Sequence, residues 1–222
     1  MVTRRSMIMG GGAAVVAAGA DLAPVDGKKK KRKKNKRKTI TQTFSNAASI
    51  TLPGGVVTAT ATPYPSTIDV SGLTKGTIQK VRVFLNGYTY DVPDDIDVLL
   101  AASQLPGLNA IIMSDVGAAN AVSNVDLVLD DNAANPLPDS DQLTSGTYRP
   151  ANYTGSPDTW PAPAPAPSGK SALSVFNGQN PNGEWQLWIN DWEGNGPGNF
   201  GGGWGIEITA QVKKKKKKKK KK

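Results

Sequence analysis

The chain has 222 residues, 38% of them apolar, contains neither cysteine nor histidine, and carries a formal charge of +9. Without cysteine there is no disulfide scaffold and no thiolate chemistry; without histidine the Ser-His-Asp and Cys-His pairs and the usual zinc ligands are gone. The charge is divided: Lys28–Lys38 and Lys213–Lys222 hold ten basic residues each, whereas 39–212 hold five bases and sixteen acids, a formal −11.

Residues 1–20 read as an export signal. The pair Arg4-Arg5 has the twin-arginine form, the run from Met7 to Ala20 is apolar and small, and Ala18-Gly19-Ala20 fits a small-x-small cleavage site. A Sec-type signal or an uncleaved anchor are the alternatives, and either route makes the protein secreted or displayed at the cell surface. Residues 21–38 form a basic linker, and 213–222 a poly-lysine tail. Like charges at this density repel and bury no apolar surface, so disorder is expected of both. Their function is either solubility or attachment to an anionic polymer or membrane surface; nucleic acid is a third partner, resting on the lysines alone.

Residues 39–212 read as an all-β body. Thr39–Phe44 and Ser49–Leu52 are short β-branched alternations, broken by Gly54-Gly55, and Pro63 and Pro65 mark a turn or an edge. Ser66–Val70 precedes another turn. Ile78–Leu85 is a long strand whose inner face is Val81, Val83 and Leu85, because the other parity would bury Lys80 and Arg82. Asn86-Gly87 gives a hairpin signal leading into Tyr88–Val92. Asp97–Leu100 and Ala110–Met113 are apolar strands joined at Pro106-Gly107, and Val125–Leu129 is a further strand. A long connection, 130–172, includes the alternating Pro161–Pro167 run, whose composition favours polyproline II on a surface. Leu173–Phe176 then returns the chain to the core.

The closing stretch is the most regular. Trp185, Leu187 and Ile189 alternate with Gln186, Trp188 and Asn190, as Trp204, Ile206 and Ile208 do with Gly205, Glu207 and Thr209, and a glycine-rich loop separates the two strands. Gly183-Glu184-Trp185-Gln186-Leu187 with Asp191, followed by Gly203-Trp204 and an apolar strand, resembles the C-terminal signature of the P domain (P/Homo B domain) of subtilisin/kexin-like proprotein convertases. Val92–Leu100 resembles that domain's acidic approach to a central strand, and Ile111–Gly117 the strand and turn that follow. The resemblance implies a jelly-roll β-sandwich with Gly183, Trp185, Leu187, Gly203 and Trp204 as its core signature. It also implies an accessory to serine-type proteolysis rather than a protease, with the proline-rich stretch laid over the sandwich as a lid. The partner would be a secreted protease or a cell-surface protein.

Asp94, Asp95 and Asp97 crowd one turn, and Asp115 and Asp191 follow strands that can end nearby. Carboxylates packed this closely call for a cation, and calcium with six to eight oxygen ligands is the candidate, although the spacing is not that of an EF-hand. A solvated acidic rim is the alternative. Asp126, Asp130 and Asp131 form a second acidic group. A glycosidase pair of carboxylates has no distinguishing support, and Gly169-Lys170-Ser171 lacks the preceding glycine and strand of a P-loop. Trp188 and Trp192 are candidate binding residues, since Trp188 points away from Trp185. They offer a carbohydrate or protein platform if exposed, the basis of an alternative carbohydrate-binding or adhesive function; otherwise Trp188 packs beneath the proline-rich run.

Overall fold

The structure, a computed structural model, describes residues 37–55, 59–153 and 158–213. The export signal, residues 21–36 and residues 214–222 lie outside the described residues, and so does the expectation of disorder placed on them; Arg37, Lys38 and Lys213, read as parts of the disordered runs, instead extend two paired strands of the body. Strands are numbered in chain order. One sheet contains β1 (Arg37–Asn46), β2 (Ile50–Leu52), β5 (Thr77–Tyr90), β8 (Val122–Leu129), β9 (Gly146–Tyr148), β12 (Gly198–Phe200) and β13 (Trp204–Lys213). The other contains β3 (Ala59–Thr60), β4 (Ser66–Val70), β6 (Ile96–Ala102), β7 (Asn109–Ser114), β10 (Ala151–Asn152) and β11 (Gly183–Asp191). Among the described residues helical structure is confined to two 3-10 turns, Pro93–Asp95 and Leu173–Phe176. The body is therefore a nearly all-β, two-sheet sandwich.

In the first sheet β13 lies between β1 and β5, and β5 carries β8 on its other edge. In the second, β11 lies between β6 and the short strands β3 and β4. The two tryptophan strands are thus not a hairpin. The glycine-rich loop takes the chain from one sheet to the other, so Trp185 and Trp204 enter the core from facing walls, both fully buried. Each indole N–H has an acceptor: Trp185 Nε1 donates to the Pro181 carbonyl at 3.0 Å and Trp204 Nε1 to Ser66 Oγ at 3.0 Å. Phe176, delivered by the second 3-10 turn, meets the Trp185 ring edge-on at 4.8 Å. Large aromatic surfaces buried with their polar edge satisfied are what makes such residues good core anchors.

The inner face of β5 is Val81, Val83 and Leu85, all buried, as alternation requires. Asn86-Gly87 does not make a hairpin. β5 runs through it unbroken, with its register against β8 shifting between Leu85 and Tyr88. Gly87 has φ +66°, its amide donates to Asp126 Oδ1 at 2.7 Å, and its carbonyl accepts from Gly201. The same left-handed geometry that favours a two-residue turn also serves a β-bulge, and the extra residue brings Tyr88 onto the core side with Leu85. Across β5, Tyr88 stacks on Phe200 at 4.5 Å.

β6 and β7 are buried along their whole length. One parity faces the core between the sheets; the other faces a second, smaller apolar layer of Leu99, Ala101, Ile111, Trp160 and Trp188. Residues 158–170, including the proline-rich run, lie across this outer face and form the roof of that layer. The strap is pinned at several points. Asn109 donates through Nδ2 to the Ala166 carbonyl at 2.9 Å and accepts the Ser168 amide at 2.7 Å. Tyr64 Oη donates to the Pro161 carbonyl, and the Ile111 amide to that of Lys170. Proline carries no N–H, so a run of prolines covers a sheet face while leaving few donors to satisfy.

Candidate functional site

The acidic candidates gather where β6 begins and β11 ends, but alternation divides them. Asn190 stands opposite Asp97 and Asp191 opposite Ile96. Successive residues of a strand face opposite sides, so Asp191 points to the core side with Ile96, while Asp97 and Asn190 share the outer face. Asp191 is fully committed there. Its Oδ2 accepts the Tyr90 hydroxyl at 2.6 Å and its Oδ1 the Gly194 amide at 2.8 Å, which fixes the start of the glycine-rich loop. Asp95, on the turn before β6, accepts from the Asn195 side chain and lies near enough to Asp191 to feel its charge. Asp94 faces Asp139 instead.

On the outer face a polar row crosses four strands. The register places Asn190 of β11, Asp97 of β6, Ser114 of β7 and Asn152 of β10 side by side. Asp97, Asn190 and Ser114 are all essentially inaccessible, at 1%, 0% and 0% exposure. The strap descends onto them at Asp158, which takes Ser114 Oγ at 2.9 Å on one oxygen and Asn152 Nδ2 at 2.7 Å on the other. Ser114 Oγ also lies 3.0 Å from Asp115 Oδ2. A hydroxyl has one proton, so it serves one carboxylate at a time among Asp115, Asp158 and the neighbouring Asp97. Trp192 Nε1 donates to Asp97. Asn190 Nδ2 reaches the Thr159 carbonyl, while its Oδ1 is buried without a partner among the described residues.

This environment holds protons. Burial pushes the Asp97 carboxyl up to about 7; the charges of Asp158 and Asp115 add to the shift, while hydrogen bonds from Ser114 and Trp192 oppose it. Burial likewise raises Asp94, Asp95 and Asp115 above the ordinary carboxylate value. Losing hydration without gaining a cation disfavours the charged form, which is the sign seen at each.

Among the described residues no group of three or more His, Cys, Asp or Glu side chains is arranged to hold a metal ion. Alternation sets Asp97 and Asp191 on opposite faces of the β6–β11 pair, while Asp94 lies near enough to Asp95 and to Asp115 for each to feel its charge. Asp158, Ser114, Asn190 and Asn152 were not foreseen. Only the register, which sequence does not supply, places them beside Asp97. The second acidic group is structural: Asp126 accepts the Gly87 amide, Asp130 pairs with Lys80 and Arg82, and Asp131 accepts the Leu173 and Ser174 amides.

Trp188 is 4% exposed, beneath the strap, with its ring edge-on to Tyr64 at 4.8 Å. It presents no open indole face. Trp192 is half-buried and turned toward Asp97. Beside Trp188 a cavity of ≈ 410 Å³ opens between Pro163 and Pro165 of the strap and the β6–β7 turn. Gly203 has φ +67°, and a Cβ there would lie 2.1 Å from the Asn46 carbonyl oxygen; Gly183 has φ +139° and is closely covered by Gln104.

These features define a two-sheet β-sandwich with a strapped outer face. No protein-family model matches the chain, and neither a curated protein nor a solved structure does.

Proposed function

We propose that this chain is an exported, non-catalytic P-domain-like jelly-roll module that acts as an accessory to serine-type proteolysis. The observation that supports it best is the burial of Trp185 and Trp204 in the core from facing sheets, each with a positive-φ glycine just upstream, Gly183 and Gly203. The resemblance on which the reading rests is carried by Gly183-Glu184-Trp185-Gln186-Leu187 and Gly203-Trp204. The chain has no histidine or cysteine with which to build a nucleophile pair. The rival adhesive function draws on Trp188 as a platform, and that indole lies under the strap.

The test adds the purified chain to a secreted subtilisin-like serine protease and follows the protease's loss of activity by autolysis. A lengthened half-life, with no peptide hydrolysis by the chain alone, is the expected outcome. An unchanged half-life together with specific retention on a glycan array would replace the accessory role with the adhesive one.

A further inference from the structure

The strands that end the two sheets differ in how they leave their outer edges. β2 and β9 have three residues, β3 and β10 two, and β4 five, with Asp69 exposed near its end. β1 has ten, Arg37–Asn46, and among the described residues its ladder partner is β13 alone. Its register against β13 runs from end to end without a shift. From Thr39 to Asn46 it has no proline, no glycine and no charged side chain. Soluble proteins blunt such an edge with short strands, bulges, prolines or charges, because a bare one pairs with another strand. Beyond Lys38, β1 uses none of these devices.

The sequence of β1 is also complementary to itself. Ile40 and Phe44 face the core, half-buried at its margin, and Gln42 stands exposed between them on the same side. Thr39, Thr41 and Thr43 lie on the opposite side, where the Thr41 hydroxyl is 2.8 Å from that of Thr209 on β13. A second β1 laid antiparallel across a two-fold axis perpendicular to the sheet keeps these sides, so only residues of equal parity can face each other. With Gln42 opposite itself, Ile40 meets the second copy's Phe44, Thr41 its Thr43, Thr39 its Ser45 and Lys38 its Asn46. Aromatic against β-branched and threonine against threonine are favourable cross-strand pairs, and no like charges meet. The threonine row Thr209–Thr41 then continues into the second copy's Thr43. Moving the axis to Thr41 would face Ile40 with Gln42 and Lys38 with Phe44, which loses the apolar pair.

We propose that this protein forms a two-fold dimer by antiparallel pairing of β1 with β1 of a second copy, with Gln42 on the axis. One sheet then runs through both chains, and neither β1 edge stays open. Each copy offers one long edge, so the interface is isologous and closes at two copies instead of growing into a fibre. Arg37 and Lys38 decide the direction. Antiparallel pairing sends the basic ends of the two strands apart, whereas parallel pairing would set like charges side by side. The dimer does not depend on the accessory role.

The test is sedimentation velocity of the full chain across micromolar concentrations, in about 0.15 M salt, where charges beyond about 8 Å are screened. A monomer–dimer equilibrium is expected. Gln42→Lys puts like charges face to face on the axis, and so does Gln42→Glu. Each variant alone should dimerise at least tenfold more weakly with an unchanged circular dichroism spectrum. An equimolar mixture of the two should regain the dimer. The register has its own test, because the chain contains no cysteine. Gln42→Cys should form a disulfide-linked dimer under mild oxidation, since directly opposed residues place their Cα atoms about 4.5–5.5 Å apart, within reach of an S–S bond. Thr43→Cys should not, because its two copies would stand on a diagonal of about 7–8 Å. A chain that stays monomeric across the range overturns the proposal. So does a dimer that survives both charged variants, or one that Gln42→Cys fails to link, since either places the contact elsewhere.

Discussion

The two buried layers of this protein are built by different rules. Between the sheets, Trp185 and Trp204 have acceptors for their N–H groups, and the walls come from strands with long ladders. Under the strap, Trp160 and Trp188 are also buried, yet their Nε1 atoms have no partner among the described residues. The roof of that layer carries few ladder bonds and hangs on a handful of side-chain contacts. An unpaired buried donor costs about 1–3 kcal/mol. The inner layer therefore carries the stability of the fold, and the outer one is a cover laid on a finished sheet.

The most damaging change should fall in the inner layer. Gly203→Ala places a Cβ 2.1 Å from the Asn46 carbonyl oxygen and 2.7 Å from that of Ala48, at a positive φ. Neither obstacle is a flexible side chain, so β1 and β13 must part. The expected loss is about 3 kcal/mol or more, or failure to fold, read from denaturant unfolding. Next comes Trp204→Phe, which removes volume and the indole N–H, leaving the buried Ser66 hydroxyl only the longer bond from the Asn46 side chain at 3.4 Å. A loss of about 2–3 kcal/mol is expected. A loss below that of any outer-layer substitution would reverse the ranking of the two layers.

Asn109→Ala attacks the cover instead. Asn109 is 1% exposed and holds the strap through both ends of its amide. Global stability should fall by about 1–2 kcal/mol. The sharper sign is local: the Ile111 amide, bonded to the Lys170 carbonyl, should exchange faster while the amides of β13 do not. Uniform acceleration across both sheets would show that the strap unfolds only with the body.

How much of this is legible in the sequence follows from the same contrast. The inner layer is written in alternation, so the core residues of β5, β11 and β13 can be read directly. The outer layer leaves only a partial trace. Val98-Leu99-Leu100-Ala101 and Ala110-Ile111-Ile112-Met113 are apolar at both parities, which signals two-sided burial but not what lies on the second side. Asn86-Gly87 misleads because a turn and a bulge ask the same backbone freedom of glycine. Asp97 and Asp191 look alike as acids near strand ends, and only the pairing of β6 with β11 assigns them to opposite faces. Their neighbours Ser114 and Asp158 come from distant parts of the chain, and no local spacing announces them.

A change in the polar row should stabilise rather than harm. With its folded value near 7 against an ordinary 3.8, Asp97 keeps its proton in the native state over a range where the unfolded chain has released it. The native state then binds more protons, so stability falls as pH rises from about 4 to 7. Asp97→Asn cannot ionise and still offers an acceptor to Trp192. At pH 4 the two proteins should melt together, and at pH 8 the variant should be about 1–2 kcal/mol more stable. Melting temperatures that fall in parallel across this range would mean that Asp97 is charged throughout.

The smallest effect should come from Trp188→Phe, and its smallness is the point. Phenylalanine keeps an aromatic ring for the edge-on contact with Tyr64 and removes an N–H that has no acceptor among the described residues. The lost volume costs about 1–2 kcal/mol, and relief of the unpaired donor returns a similar amount. The net change should stay within about 1 kcal/mol, well short of the matched Trp204→Phe, although both indoles are buried and both substitutions are chemically identical. A loss as large as that of Trp204→Phe would mean that the Trp188 N–H is engaged after all, and that the layer under the strap is as tightly made as the core beneath it.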